Sequence, residues 1–365
     1  MNFAFPKTLA LTLAGCSFVM LSGCQATSES NKKAEPALPT SLGEYITVDP
    51  SIEIPAAPHL ALYTAPIDIL DANVLGACLF DDYDSVEIRS IPEEGVAFAD
   101  SDEGRLQVVV NDFVFYAKST QPTGEAQERF EKYSSVLSLL PNLIPHLRYA
   151  YIPENIQTTG DLSFAGTSDA EKTCQNKKEA LGLSFADQPY RTEKVTAESV
   201  KNIIDQNAGL LTSSVTAGED FSDMEFYRFF WNAQVDGVPI LYPDCEFVGN
   251  AASGATSIQM PYLEMLVDSA GIQYVCGKSC ITSMEKQDET FEPTSARDGL
   301  DVIKNYFADT IVTEKNPVQI QSIKIAYVAV ASQHSITLEP AWVYGYDQAG
   351  EKKCIAVDMR TGEWL

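Results

Sequence analysis

The chain has 365 residues, 45% of them hydrophobic, enough for a sizeable core and more naturally two domains than one. Against 25 Lys and Arg stand 51 Asp and Glu, a formal net charge of -26. That balance excludes nucleic acid as a partner and any flat adsorption to anionic lipid, because both are bound through clustered Lys and Arg.

The opening residues read as an export signal. Lys7 supplies a thin positive region, and an uncharged apolar run from Thr8 to Leu21 follows, too short to span a bilayer. The run ends in Leu21-Ser22-Gly23-Cys24, which has the form of a lipobox. Small residues there admit a signal peptidase, and the Cys24 thiol carries diacylglycerol. Cys16, preceded by Leu13-Ala14-Gly15, offers a second, earlier site behind a much shorter apolar run. Residues 1–23 are therefore expected to be a lipoprotein signal peptide. Residues 24–43 are expected to be lipidated Cys24 and a disordered tether, since Gln25 to Gly43 is polar and has no apolar periodicity. As a flexible coil it would reach about 24 Å. Acyl chains contribute roughly 0.8 kcal/mol per buried methylene, so the expected location is the outer face of the cell membrane, lipid-anchored and extracytoplasmic.

The remaining chain is expected to form an N-terminal α+β domain over 44–194 and a C-terminal α+β domain over 195–365. Tyr45 to Ile54 alternates as a strand, Asp68 to Phe80 reads as a short helix, and Arg105 to Ala117 reads as a strand or hairpin. Glu125 to Leu140 carries helix formers and stops before Pro141; Ser168 to Leu181 opens on a capping box with Glu171 and closes at Gly182. Thr196 caps a further helix to Ala208. Met224 to Val235 reads as a strand, and Asp236-Gly237 is a strong hairpin signal before Val238 to Tyr242. Ser257 to Val267 and Ile272 to Cys276 read as strands. A helix starting near Ser295 buries Leu300, Ile303 and Phe307, and three alternating strands end at the Arg360-Thr361-Gly362 turn. Pro340 inside the second of them predicts an edge or a bulge. The expected fold is α+β, with antiparallel sheets each packed by helices and two subdomains.

The strings VDGVPI (Val235 to Ile240), Ala270-Gly271-Ile272, the helix near Ser295, LEPAWVY (Leu338 to Tyr344) and AVDMRTGEWL (Ala356 to Leu365) occur in an order that resembles the PepSY and YycI/YycH-like modules of Gram-positive extracytoplasmic proteins. With YITVDPSIEIP and DAEKTCQNKKEALGL, the chain is similar to uncharacterised clostridial surface lipoproteins carrying such a module at the carboxyl end. The resemblance implies a PepSY/YycI-like C-terminal domain and a regulatory or inhibitory role at the cell surface. It departs from the kinase regulators in having a lipid where they have a transmembrane helix, and from protease propeptides in having no protease domain after it.

Motifs for chemistry are sparse. His59, His146 and His334 share no metal-like or triad-like spacing, and the hydrolase and dinucleotide signatures are missing. Gly271 to Ser279 has five residues between its glycines where a phosphate loop has four, and Ser283 with Lys286 matches S-x-x-K without the accompanying S-D-N. The acidic runs Asp81-Asp82-Tyr83-Asp84 and Asp100 to Gly104 are read as solvated loops, the latter failing the calcium-loop template. Among Cys78, Cys174, Cys245, Cys276, Cys280 and Cys354, the close pair Cys276 and Cys280 is left open between a disulfide, two free thiols and a metal half-site. The stripe Trp342, Tyr344, Tyr346 is either core or, where exposed, an interaction surface. The expected function is a non-enzymatic protein-interaction or regulatory lipoprotein without cofactor or metal, partnered by the membrane through Cys24 and by a surface protein. The alternative is a surface binding protein for a small ligand or glycan.

Overall fold

A computed structural model describes residues 38–57, 60–67, 70–117, 159–206, 224–241, 246–249, 257–259, 261–288, 291–332 and 335–365. The signal peptide, Cys24, the helix expected over Glu125 to Leu140, Cys245 and all three histidines lie outside them.

Two large sheets carry the fold. The first has 9 strands: β1 (Ser41–Gly43), β2 (Ile46–Val48), β3 (Tyr63–Pro66), β12 (Glu246–Phe247), β13 (Ser257–Gln259), β16 (Glu285–Lys286), β17 (Val318–Ala331), β18 (Ser335–Gln348) and β19 (Glu351–Asp358). The second has 8, in spatial order β4 (Glu87–Ile91), β5 (Val96–Asp100), β6 (Gly104–Val109), β7 (Asp112–Ala117), β15 (Gly271–Lys278), β14 (Tyr262–Asp268), β9 (Phe226–Asn232) and β8 (Arg191–Val195). Strands β10 (Gln234–Val235) and β11 (Val238–Pro239) make the hairpin that Asp236-Gly237 predicts, with both turn residues at positive φ as a type I′ turn requires. The described helices are α1 (Ala72–Leu79), α2 (Thr167–Leu181), α3 (Ala197–Gln206) and α4 (Ala296–Ala308). Helices α1 and α2 pack on the second sheet and α4 on the first.

The α+β expectation is met coarsely, as a mostly-sheet molecule with few helices. Only the second sheet is wholly antiparallel, however; in the first, β2 runs parallel to β17 and β12 parallel to β19. The division at 194/195 differs from the structure. That point falls inside β8, and both sheets draw strands from before and after it. Tyr63 and Ala65 of β3 and Tyr327 and Leu338 of the meander share one core with Phe229, Trp231 and Met265 of the second sheet. Residues 38–365 accordingly form one compact unit.

Several local expectations are corrected. The expected strand at Tyr45 is a tight hairpin, β1 and β2, turning at Tyr45 with φ 61°, so Ser41–Gly43 belongs to the sheet and not to a tether, with Leu42 buried. Ser257 to Val267 is two strands in different sheets, β13 and β14. Helix α2 starts at Thr167 behind Gly166 and has no side-chain cap at Ser168; instead the Thr167 amide donates to Asp161 Oδ1 at 2.9 Å. The Ser295 cap forms as expected, its hydroxyl accepting from the Arg297 amide at 3.1 Å. Pro340 sits in a central strand, at the point where β18 exchanges one neighbour for another: Ser335 to Leu338 pairs with β3, and pairing with β19 begins at Ala341. A residue without an N–H is tolerated at that exchange.

Candidate functional site

On the meander, residues alternate between faces, and the register assigns each face. One face carries Trp342, Tyr344 and Tyr346 with Ile323, Ile355 and Val357, and α4 covers it through Ala296, Leu300, Ile303 and Phe307. Trp342, Tyr344 and Tyr346 are 3%, 0% and 2% exposed. The indole of Trp342 donates to the Thr294 carbonyl at 2.9 Å, and the Tyr344 hydroxyl donates to the Ala296 carbonyl at 2.5 Å. The stripe is therefore core; its reading as an exposed interaction surface is corrected. Gly299 is required beneath it, since a Cβ there would stand 2.1 Å from the Tyr344 hydroxyl.

The other face of the same strands is floored by small side chains. Ala326 lies opposite Ala341, Val343 opposite Ala356, and Ser322 opposite Gly345, which in turn faces Cys354. A bulge between Ile320 and Ser322 brings β17 close to β18, and a Cβ on Gly345 would stand 2.5 Å from Ser322 Oγ. Small floors leave volume. A groove of about 360 Å³ runs over this face, walled on one side by Pro239 and Leu241 of the β10–β11 hairpin segment. Leu241 is pinned there by its amide, which donates to the Tyr327 carbonyl at 2.7 Å. Lys324 and Lys352 stand on the groove face at opposite ends of its lining. Lys353, one residue on, belongs to the opposite face and pairs with Glu351 at 3.1 Å. The volume lies within the range of small-molecule pockets.

The second sheet holds a buried ionic row of another kind. Arg228 on β9 is 1% exposed and lies between Glu264 on β14 and Glu193 on β8, with Arg191 closing on Glu193 from the rim. The two carboxylates hold the guanidinium charged against the cost of its burial. Its plane also lies 4.5 Å from the Phe230 ring. Opposite charges are matched inside the row, which makes it a structural network rather than a reactive one.

Cys276 continues that row on β15, opposite Glu264, whereas Cys280 packs into the shared core. Both are buried free thiols. Burial pushes Cys276 up to about 12, and Cys280 well above its ordinary value. Their loop is tied to the β6–β7 turn: the Cys280 amide donates to the Asn111 carbonyl at 2.6 Å, and Asn111 Nδ2 donates back at 2.9 Å. Gly277 lies so close to Phe113 that a Cβ would stand 2.2 Å from the ring. Lys278 pairs with Asp112 at 2.9 Å and the Ser279 amide donates to the same carboxylate at 2.6 Å, so packing and these contacts together hold C-G-K-S-C.

The other sequence candidates are not brought together. Gly271–Lys278 is a strand, not a phosphate loop. Ser283 is exposed and lies outside any strand, while Lys286 is exposed on β16, which pairs with β3. Glu103 accepts from the Asp81 and Asp82 amides at 2.7 and 3.0 Å, so the two acidic runs meet as a turn lock. Among the described residues no group of His, Cys, Asp and Glu is placed to hold a metal. The groove was missed because its floor is built of small side chains that carry no motif. Their signal was the period-two complement of the aromatic stripe, readable only with the register in hand.

No protein-family model matches the chain, and no curated protein matches it in sequence. Among solved structures, an uncharacterised protein from Eubacterium rectale is similar over 88% of this chain and 91% of its own, with a TM-score of 0.56 at 14% identity. That likeness is one of fold. The YpeB C-terminal domain of Bacillus megaterium aligns over 81% of this chain and 96% of its own at 8% identity, with a TM-score of 0.28.

Proposed function

We propose that the chain is a non-enzymatic extracytoplasmic binding protein, lipid-anchored through Cys24, that takes a small ligand in the groove over β17, β18 and β19. The observation that carries the reading is the contrast within one sheet: one face is filled by three aromatic side chains and a helix, while on the other Ala326, Val343 and Cys354 pack against Leu241 and leave a groove of about 360 Å³ beside Gly345. A thermal-shift screen of sugars, short peptides and organic acids tests it. A ligand at a hundred times its Kd stabilises by about 2.7 kcal/mol, a readable rise in Tm. That rise should vanish in Ala326→Phe, which fills the groove; a rise unchanged in that variant sinks the groove as the site.

A protein partner is the second reading, and β4 favours it. This strand ends the second sheet, is largely exposed, and presents backbone groups to which an extended segment can add. The PepSY/YycI-like reading of the C-terminal part rests on the sequence strings and on α4 packing across the meander. Anchoring is tested separately: Cys24→Ala should abolish acyl labelling, and retention of the label in that variant would move the site to Cys16.

A further inference from the structure

We infer that the β4 edge of the second sheet pairs with the β4 edge of a second copy of the chain, antiparallel about a twofold axis at Ile88, so that two eight-stranded sheets join into one. The inference rests on the reading of β4 as a strand-addition edge and names the partner. β4 (Glu87–Ile91) ends the sheet, pairs with β5 on one side, and leaves Glu87, Arg89 and Ser90 exposed. Its other side presents unpaired N–H and C=O groups at every second residue. The chain leaves the extended path beyond both ends, in the 3-10 turns Tyr83–Ser85 and Pro92–Glu94, so the edge is short.

Charge selects the register. Two identical antiparallel edges are related by an axis normal to the sheet, which keeps both core faces on one side and sets one residue of the strand opposite its own copy. With Glu87 or Arg89 on the axis, like charges face each other. With Ser90 there, Ile88 would meet Pro92, which lies outside the strand. With Ile88 there, Glu87 of each copy lies opposite Arg89 of the other, and opposite charges meet twice. The same two side chains are unsatisfied within one copy. Glu87 lies opposite a second carboxylate, Asp100, which is held by Arg105 at 2.7 Å. Arg89 lies opposite Phe98, with its guanidinium 5.0 Å from the ring centroid. Neither Glu87 nor Arg89 has an ion-pair partner among the described residues. On the core side, Ile88 lies opposite the buried Ala99 and packs against the shared core, so two Ile88 side chains carry that layer across the axis.

The test is sedimentation equilibrium of the mature chain made without its lipid, at about 0.15 M salt, where repulsion between two acidic chains is screened beyond about 8 Å. A short edge buries far less than a standard interface, so we expect dimerisation with a Kd on the order of 0.1 mM. Glu87→Arg sets two cations on each edge and Arg89→Glu two carboxylates, so each variant alone should dimerise at least about tenfold more weakly. Glu87→Arg also lowers the net negative charge, so its weaker association separates register from general repulsion. Mixed together, the two variants should form a heterodimer as tight as the parent dimer, because every pair across the axis is then opposite in charge. Both positions are exposed, so the variants should keep a Tm near the parent's. Hydrogen exchange of the β4 amides is followed in the same samples and should slow as the dimer forms. Single variants that dimerise as tightly as the parent, or a dimer whose β4 amides gain no protection, overturn the inference. A monomer at every concentration overturns it too. Fast-exchanging β4 amides in that monomer leave the edge open to a different partner chain, whereas amides all protected already remove the partner reading as well.

Discussion

The two faces of the nine-stranded sheet are built from the same three strands and end in opposite states. Beneath α4, Trp342, Tyr344 and Tyr346 fill the space, and the first two place their polar atoms on the Thr294 and Ala296 carbonyls at the start of the helix. On the reverse, alanine, glycine, serine and cysteine leave a groove between two lysines. Period two makes this possible, because every residue spent on one face is withheld from the other. A filled face fixes the backbone geometry to which an open face can owe its shape. The second sheet differs again, burying its Arg228 row and neutralising it internally.

The largest expected effect breaks the filled side. Tyr344→Ala should cost about 3–5 kcal/mol in denaturant unfolding, since it removes a fully buried ring and its hydrogen bond to the Ala296 carbonyl. Arg228→Met should cost a similar ~3–5 kcal/mol, because it strands Glu193 and Glu264 without their cation; replacing all three with apolar residues should recover much of it. Gly299→Ala should cost about 1–3 kcal/mol by driving a methyl into the Tyr344 hydroxyl. Lys352→Gln, on the open side, should stay within about 0.5 kcal/mol of the parent. If Lys352→Gln destabilised as much as Gly299→Ala, the contrast between the faces would be wrong.

Alkaline titration sharpens the account of the buried thiol and phenol. Burial raises Cys276 from its ordinary 9.0, and Tyr327 from its ordinary 10.0, each to about 12. In both, the folded state holds the proton more tightly than the unfolded one. Their contribution to stability is therefore complete below about pH 9 and is lost as pH rises towards 12. Urea midpoints measured across that range should fall progressively, and less steeply in Cys276→Ala. A flat profile would contradict the burial of both groups.

Much of the local structure was legible. Asp236-Gly237 fixed its hairpin through the φ its turn demands, Ser295 capped α4, and the alternation of Ile323, Trp342, Tyr344 and Ile355 marked the core face. Assembly was not legible. Nothing local in Ser257 to Val267 tells that β13 pairs with β17 while β14 crosses to the other sheet, because register and partner are set by contacts far along the chain. The same reason hid the groove, whose members come from β17, β18, β19 and the segment at Pro239. Arg228 and Glu264 read as ordinary charges in strand sequences until pairing set them side by side.

Denaturant unfolding of Tyr344→Ala beside Lys352→Gln tests the contrast between the two faces most directly. A loss of about 3–5 kcal/mol in the first and a change within about 0.5 kcal/mol in the second are expected. Equal losses in the two variants would contradict it.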